Sequence, residues 1–183
     1  MRLMDLKYQV LNCKKCPLWE TRKNPVFGEG NPNSEIMLIG EAPGRREDEI
    51  GRPFVGQAGK LLDEIFREIG LSREDVYITN VVKCRPPGNR QPTKREVKSC
   101  SPYLDKQIML IRPKVIIAMG NTAASYIMDR YNMKFTSMRE LHGKVFRVGT
   151  MFGELKVLMT YHPAAALRNP ELKEVIKEDL MRL

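Results

Sequence analysis

Cys13, Cys16, Cys84 and Cys100 are the four cysteines of this chain, and their spacing suits a single metal centre. Cys13 and Cys16 form a Cys-x2-Cys turn, which lets one short segment offer two thiolates to one site. Cys84 and Cys100 have fifteen residues between them, so only a loop and a helix folding back could bring them to the same place. A four-thiolate set fits an iron–sulfur cluster or zinc. Zinc ribbons usually carry two tight knuckles, and only one is present here. That favours a structural [4Fe–4S] cluster, with zinc as the alternative. A second group of reactive types lies in EIMLIGEAPGRREDEIGRPFVG at 35–56. There an apolar run ends at Gly40 and enters a Gly/Pro turn carrying Glu41, Glu47, Asp48 and Glu49 ahead of Phe54. Backbone N–H groups, carboxylates and one aromatic ring within so few residues are the inventory of a pocket for a flat, polar ligand.

These residues need elements to position them. Four apolar runs recur about forty residues apart, at Glu35–Ile39, Val76–Val82, Lys114–Met119 and Lys156–Thr160. Each runs into a polar or Gly-containing turn. Between them lie helical patterns at Gly59–Ile69, with Gly70 as its stop, at Thr93–Ile111, at Asn121–Asp129 and at Pro170–Leu183. Residues 134–153 read as an irregular or hairpin excursion around Val145–Val148, with a turn near Gly149. Strand alternating with helix predicts an α/β fold: a three-layer αβα sandwich around a mostly parallel, four-stranded sheet, in one domain over 1–183. In such sheets ligands bind beyond the carboxyl ends of the strands. Glu41, Asn80, Asn121 and His162 should therefore converge along one edge.

Charge narrows the partners. The chain has 31 Lys and Arg against 22 Asp and Glu, a formal charge of +9 and a pI near 9.5. That excess favours a polyanion, because released counterions drive phosphate binding. RPPGNRQPTKRE at 85–96 reads as a basic surface loop leading into a helix. The first residues lack the apolar core of a signal peptide, and no stretch approaches the ~20 apolar residues of a membrane span. A cytosolic protein, probed by neither disulfide chemistry nor a membrane, is the expectation.

Taken together, these segments resemble the family 4 uracil-DNA glycosylases, the thermostable iron–sulfur branch of the uracil-DNA glycosylase superfamily. GEAPGRREDEIGRPFVGQAGKLLD at 40–63 is similar to the first motif, TNVVKCRPPGNRQPTKREVKSC at 79–100 to the central one, and YHPAAALRNP at 161–170 to the last. Cys13 and Cys16 complete the ligands. The resemblance covers nearly the whole chain.

It implies a monofunctional glycosylase that flips uracil out of DNA and hydrolyses its N-glycosidic bond, initiating base excision repair. Asn80 would accept from uracil N3–H and donate to O4, a pattern cytosine reverses. Phe54 would stack on the base, the backbone of Gly40, Glu41 and Ala42 would line the pocket, and His162 would donate to O2. Glu47 would guard the space of thymine's methyl. Ala42 stands where some relatives carry a water-activating Asp, so Glu41 becomes the first candidate to orient the water. Leu167 or Arg168 would wedge into the duplex. Arg85, Arg90, Lys94 and Arg95 are phosphate-contact candidates, while His142 is assigned a structural role. The partner implied is uracil-containing DNA, met by a monomer, with any sliding clamp or other repair partner left open. The competing possibility is a non-catalytic, or covalently trapping, iron–sulfur protein that binds uracil-DNA. The trapping type uses a His in an extra basic loop, and 85–99 contains no His.

Overall fold

A computed structural model describes all residues, 1–183. Its elements in chain order are α1 (Leu3–Leu11), β1 (Glu29–Gly30), β2 (Ile36–Gly40), α2 (Arg45–Ile50), α3 (Gln57–Ile69), β3 (Val76–Asn80) and α4 (Lys94–Ile111). They continue with β4 (Val115–Met119), α5 (Asn121–Arg130), α6 (Met138–Leu141), β5 (Val145–Thr150), β6 (Gly153–Thr160), α7 (Pro163–Arg168) and α8 (Glu171–Leu180).

The strand order is β1-β3-β2-β4-β6-β5. The four predicted strands β3, β2, β4 and β6 pair in parallel. Two antiparallel strands, β1 on β3 and β5 on β6, extend the sheet to six rather than four. Both additions are edge strands; β5 falls in the excursion expected around Val145–Val148, whereas β1 was not expected. β1 is only Glu-Gly, and β5 alternates between exposed and half-buried positions. The hairpin expected within 134–153 is β5–β6, but its turn lies at Met151–Phe152, since Gly149 still pairs with Glu154.

Burial on both faces explains the continuous apolar character of the central strands. Successive side chains of a strand point to opposite faces. Met37, Ile39, Ile116, Ala118, Val157 and Met159 accordingly join a core with Leu6 of α1, Leu104 of α4 and Ile127 of α5. Leu38, Ile78, Ile117 and Leu158 turn the other way, against Leu62 and Phe66 of α3 and Ile176 of α8. Helices thus cover both faces, which is the three-layer sandwich expected.

The helix boundaries follow local chemistry. α3 stops at Gly70, whose φ of 77° places it in the left-handed region that Gly tolerates. α4 begins with a reciprocal cap, in which Glu96 N donates to Thr93 Oγ1 and Thr93 N donates to Glu96 Oε1. Two short helices lie where the sequence suggested loops: α2 within the acidic turn, and α7 after His162. No helix is long and apolar enough to cross a membrane.

Register places the candidate residues. Gly40 pairs with Asn80, and Met119 with Thr160. The parallel strands therefore end level, and the segments after them share one rim.

Candidate active site and cysteine centre

Glu41, Asn80, Asn121 and His162 line one crevice at that rim, together with Phe54 and Leu167. Asn80 lies at its floor, only 2% exposed. Its Oδ1 is buried with no hydrogen-bond partner. An unsatisfied buried acceptor costs about 1–3 kcal/mol, so this oxygen awaits a donor from whatever enters the crevice. Gly40 packs against it: a Cβ there would stand 2.5 Å from Asn80 Oδ1 and 2.7 Å from Phe54 Cζ. Glycine is needed at Gly40 for this close approach rather than for its φ.

Phe54 is buried and has a φ of 51°, unusual for a bulky residue. Two charged side chains hold this conformation. Arg73, from the turn before β3, donates through Nη2 to the Phe54 carbonyl and through Nη1 to Pro53 O at 3.1 Å. Its Nε is anchored on Asp63 Oδ1 at 2.6 Å. On the other side, Glu47 Oε2 accepts from Val55 N at 2.8 Å and Gly56 N at 2.7 Å. One peptide unit, Phe54 C=O to Val55 N–H, is thereby gripped between a cation and an anion. Gly59 permits the arrangement, since a Cβ there would fall 1.8 Å from Phe54 O.

Glu47 also accepts from Gly44 N at 3.1 Å through Oε1. Both oxygens of the residue expected to face thymine's methyl are thus engaged with backbone on the crevice wall. Glu41, half-buried, accepts from Thr122 Oγ1 at 2.6 Å, and Thr122 in turn accepts from Gln91 Nε2 at 3.3 Å. Ala42 lines the same wall.

His162 follows β6 and caps α7. Its Nδ1 accepts from Ala164 N at 3.0 Å. A backbone N–H can only donate, so Nδ1 carries the lone pair and the proton of the neutral ring sits on Nε2. Burial lowers the ring's pKa to about 4, against a smaller upward pull from Glu47. Part of His162 still reaches the crevice's solvent, yet its protein side is enclosed by Phe54, whose ring stacks on it at 5.5 Å and 23°, and by Gly120. The result at neutral pH is an uncharged donor held over an apolar wall.

The four cysteines, far apart in sequence, line one cavity with Arg22, Lys83 and Tyr103. None is paired as a disulfide. Cys13 and Cys16 follow α1, Cys84 follows β3, and Cys100 faces inward from α4. N–H donors surround the sulfurs: Arg22 Nη1 to Cys84 at 3.1 Å, Lys83 N to Cys100 at 3.2 Å and Lys15 N to Cys13 at 3.5 Å. Burial pushes the Cys100 thiol up to about 12, so as an acid it is poor, and coordination is what would hold it as thiolate. No three His, Cys, Asp or Glu side chains are arranged to hold one metal ion. Four cysteines lining one cavity are the residues that would hold a thiolate-ligated group.

The DNA-contact candidates divide. Arg90 makes a two-pronged pair with Glu96 at 2.8 and 2.9 Å, and Arg85 donates to Asn89 at 2.7 Å. Lys94 and Arg95 are exposed at the start of α4. Leu167, 47% exposed, and Arg168 project from α7 at the crevice. Sequence reasoning overlooked Arg73, Lys83 and Thr122. Lysine and arginine read as surface residues in a basic chain, and nothing local marks which ones turn inward.

The model of the uracil DNA glycosylase superfamily matches residues 27–181. The type-4 uracil-DNA glycosylase of Sulfurisphaera tokodaii is 50% identical over 182 residues, covering 99% of this chain and 83% of its own. That of Archaeoglobus fulgidus is 48% identical over 181 residues, covering 99% of this chain and 91% of its own. A type-5 uracil-DNA glycosylase of Pyrobaculum aerophilum is 28% identical, covering 87% of this chain and 81% of its own. A strand-end crevice with an unsatisfied Asn, a neutral His and a four-cysteine cavity thus coincides with matches along almost the full length, and the chain belongs to the type-4 uracil-DNA glycosylases of the uracil-DNA glycosylase superfamily.

Proposed function

We propose that the protein removes uracil from DNA by hydrolysing the bond between uracil N1 and deoxyribose C1′, leaving free uracil and an abasic site that initiates repair. The observation that carries this reading is the orphaned Oδ1 of Asn80. Uracil presents N3–H beside O4, and a carboxamide meets both at once, its oxygen accepting and its nitrogen donating. Cytosine presents an acceptor at N3 and a donor at C4, so the same carboxamide would face it oxygen to lone pair.

In this mechanism the base leaves the stack, at a cost of a few kcal/mol, and packs against Phe54. The N1–C1′ bond breaks with its electron pair going to uracil, and negative charge grows on O2. His162, with its proton on Nε2, donates there and need not give that proton away. A single such donor is typically worth about 100- to 1,000-fold in rate. Water then adds to C1′ through an oxygen lone pair and releases one proton to solvent, which balances the uracil anion that has left. Glu41, whose position is set by Thr122, is the candidate to orient the water. Leu167 or Arg168 fills the gap left in the duplex, where an inserted side chain replaces lost stacking. Lys94 and Arg95 meet phosphates.

Cys13, Cys16, Cys84 and Cys100 hold a [4Fe–4S] cluster that ties the N-terminal segment to β3 and α4 as structural cross-link. The protein meets its DNA as a monomer.

The test is incubation with a duplex carrying one uracil, followed by alkaline cleavage and assay of released base. Free uracil with strand breaks at that position is expected. DNA binding with no uracil released would overturn the enzymatic reading, and a heat-stable protein–DNA adduct would favour a covalent trap.

A further inference from the structure

Lys83 is 1% exposed, and its ammonium group lies beneath the crevice floor. Its Nζ contacts Thr79 Oγ1 at 2.6 Å, Asn80 O at 2.7 Å and Gln107 Oε1 at 2.6 Å. All three partners are acceptors. Thr79 Oγ1 spends its proton on Phe27 O at 2.8 Å, Gln107 turns its Nε2 to the same carbonyl at 2.9 Å, and Asn80 O is a carbonyl. Three acceptors require three N–H donors, which only the charged ammonium supplies.

A fully buried cation with neutral partners is costly unless a compensating charge stands nearby. No carboxylate is among its partners. The neighbouring charge-bearing groups are sulfurs: Cys84 is the next residue, Lys83's own N–H donates to Cys100 Sγ, and Lys83 lines the four-cysteine cavity.

We infer that Lys83 is a positioning residue that braces the backbone of Asn80 through its three hydrogen bonds, its charge balanced by the thiolate-bound group in the cysteine cavity. This rests on the cluster proposed above. The cysteine centre then has a role beyond cross-linking: it makes a buried lysine tolerable beneath Asn80, the residue that must be held still to read uracil. Thr79 and Gln107 complete the brace, and Gln107 extends it to the segment before β1 through Phe27 O.

The test pairs Lys83→Met, which keeps length and removes charge, with the milder Thr79→Val, which removes one acceptor. Wild-type iron and sulfide content is measured first, so that absence of the cluster is recognised separately from failure of the brace. Two readouts follow: the single-turnover rate of uracil excision, and the rate at which a chelator strips iron. Lys83→Met should slow excision about tenfold or more, with binding of uracil-free DNA unchanged, and should lose iron faster than wild type. Thr79→Val should shift excision in the same direction by less. If both variants excise uracil at the wild-type rate, Lys83 does not brace Asn80. If Lys83→Met slows excision but keeps wild-type iron retention, the charge-balance half is wrong. If Lys83→Met does not fold, Thr79→Val alone decides.

Discussion

Arg73→Leu should slow uracil excision although Arg73 touches no part of the substrate. The substitution removes the donors to Pro53 O and Phe54 O and leaves Glu47 pulling alone on the other end of the peptide unit. A hydrogen bond to a charged group is worth about 1.5–3 kcal/mol. A bulky residue at positive φ stores about 1–3 kcal/mol of strain. Arg73's side chain is only 22% exposed, so solvent replaces little of what is lost. Once the restraint is gone, Phe54 can relax towards an ordinary backbone basin and swing its ring from the crevice. Restoring it for the transition state would cost about 2 kcal/mol, roughly thirtyfold in rate. The assay is single-turnover excision from a U·G duplex with enzyme in excess, alongside the thermal midpoint and the affinity for undamaged DNA. Arg73→Lys should recover part of the rate. In a Phe54→Ala background Arg73→Leu should add little, because its effect passes through the ring. A wild-type rate for Arg73→Leu, or an undiminished thirtyfold loss when Phe54 is absent, would refute the clamp.

Other outcomes follow from the same geometry. Asn80→Asp replaces the donor to uracil O4 by a buried carboxylate oxygen, and should cut the excision rate by roughly 100-fold or more, a loss of about 3 kcal/mol or greater. His162 works as a neutral donor with a pKa near 4. The pH profile of kcat/KM should therefore stay level through pH 6.5 and fall only towards pH 4, and a His162-dependent limb near 6.5 would contradict the assigned state. The linked stability has a definite sign. In the window from pH 6.5 down to 4 the unfolded chain binds the His162 proton and the folded one does not, so this contribution is complete above 6.5, fades across the window and is gone below 4. Comparing urea midpoints of wild type and His162→Ala at both ends would reveal it. Lys94→Ala should lower the salt slope of DNA binding by about one counterion. Arg90→Ala should lower it less, because that guanidinium is already engaged by Glu96.

Much of this protein was legible in its sequence because short-range chemistry dictated it. Ile36–Ile39, Val76–Ile78 and Val115–Met119 are apolar without alternation, as strands buried on both faces are, and Gly70 stops α3 where its conformation allows. Level strand ends then bring Glu41, Asn80, Asn121 and His162 to one rim, as the topology required. Of the two edge strands, β5 fell in the expected hairpin around Val145–Val148, while β1, only Glu-Gly, carries no apolar pattern to mark it.

The cysteines sit between these cases. Their number and the Cys13–Cys16 turn pointed to a single centre, while only the inward face of α4 and the end of β3 brought Cys100 and Cys84 to the same cavity. Tertiary structure alone decided what the charged residues do. Arg73 and Lys83 have the same local signature as solvated surface cations, yet one grips Phe54's carbonyl and the other lies under Asn80. Their roles depend on acceptors contributed by distant segments, and hydrogen-bond partners of that kind have no periodicity to read. Glu47, expected to face the ligand, has both oxygens engaged by backbone N–H groups that become neighbours only when α2 and the Phe54 turn fold together. Apolar pattern set the layers and the rim, because burial is a property each residue carries with it. The directed polar contacts that hold the crevice in shape belong to the assembled fold.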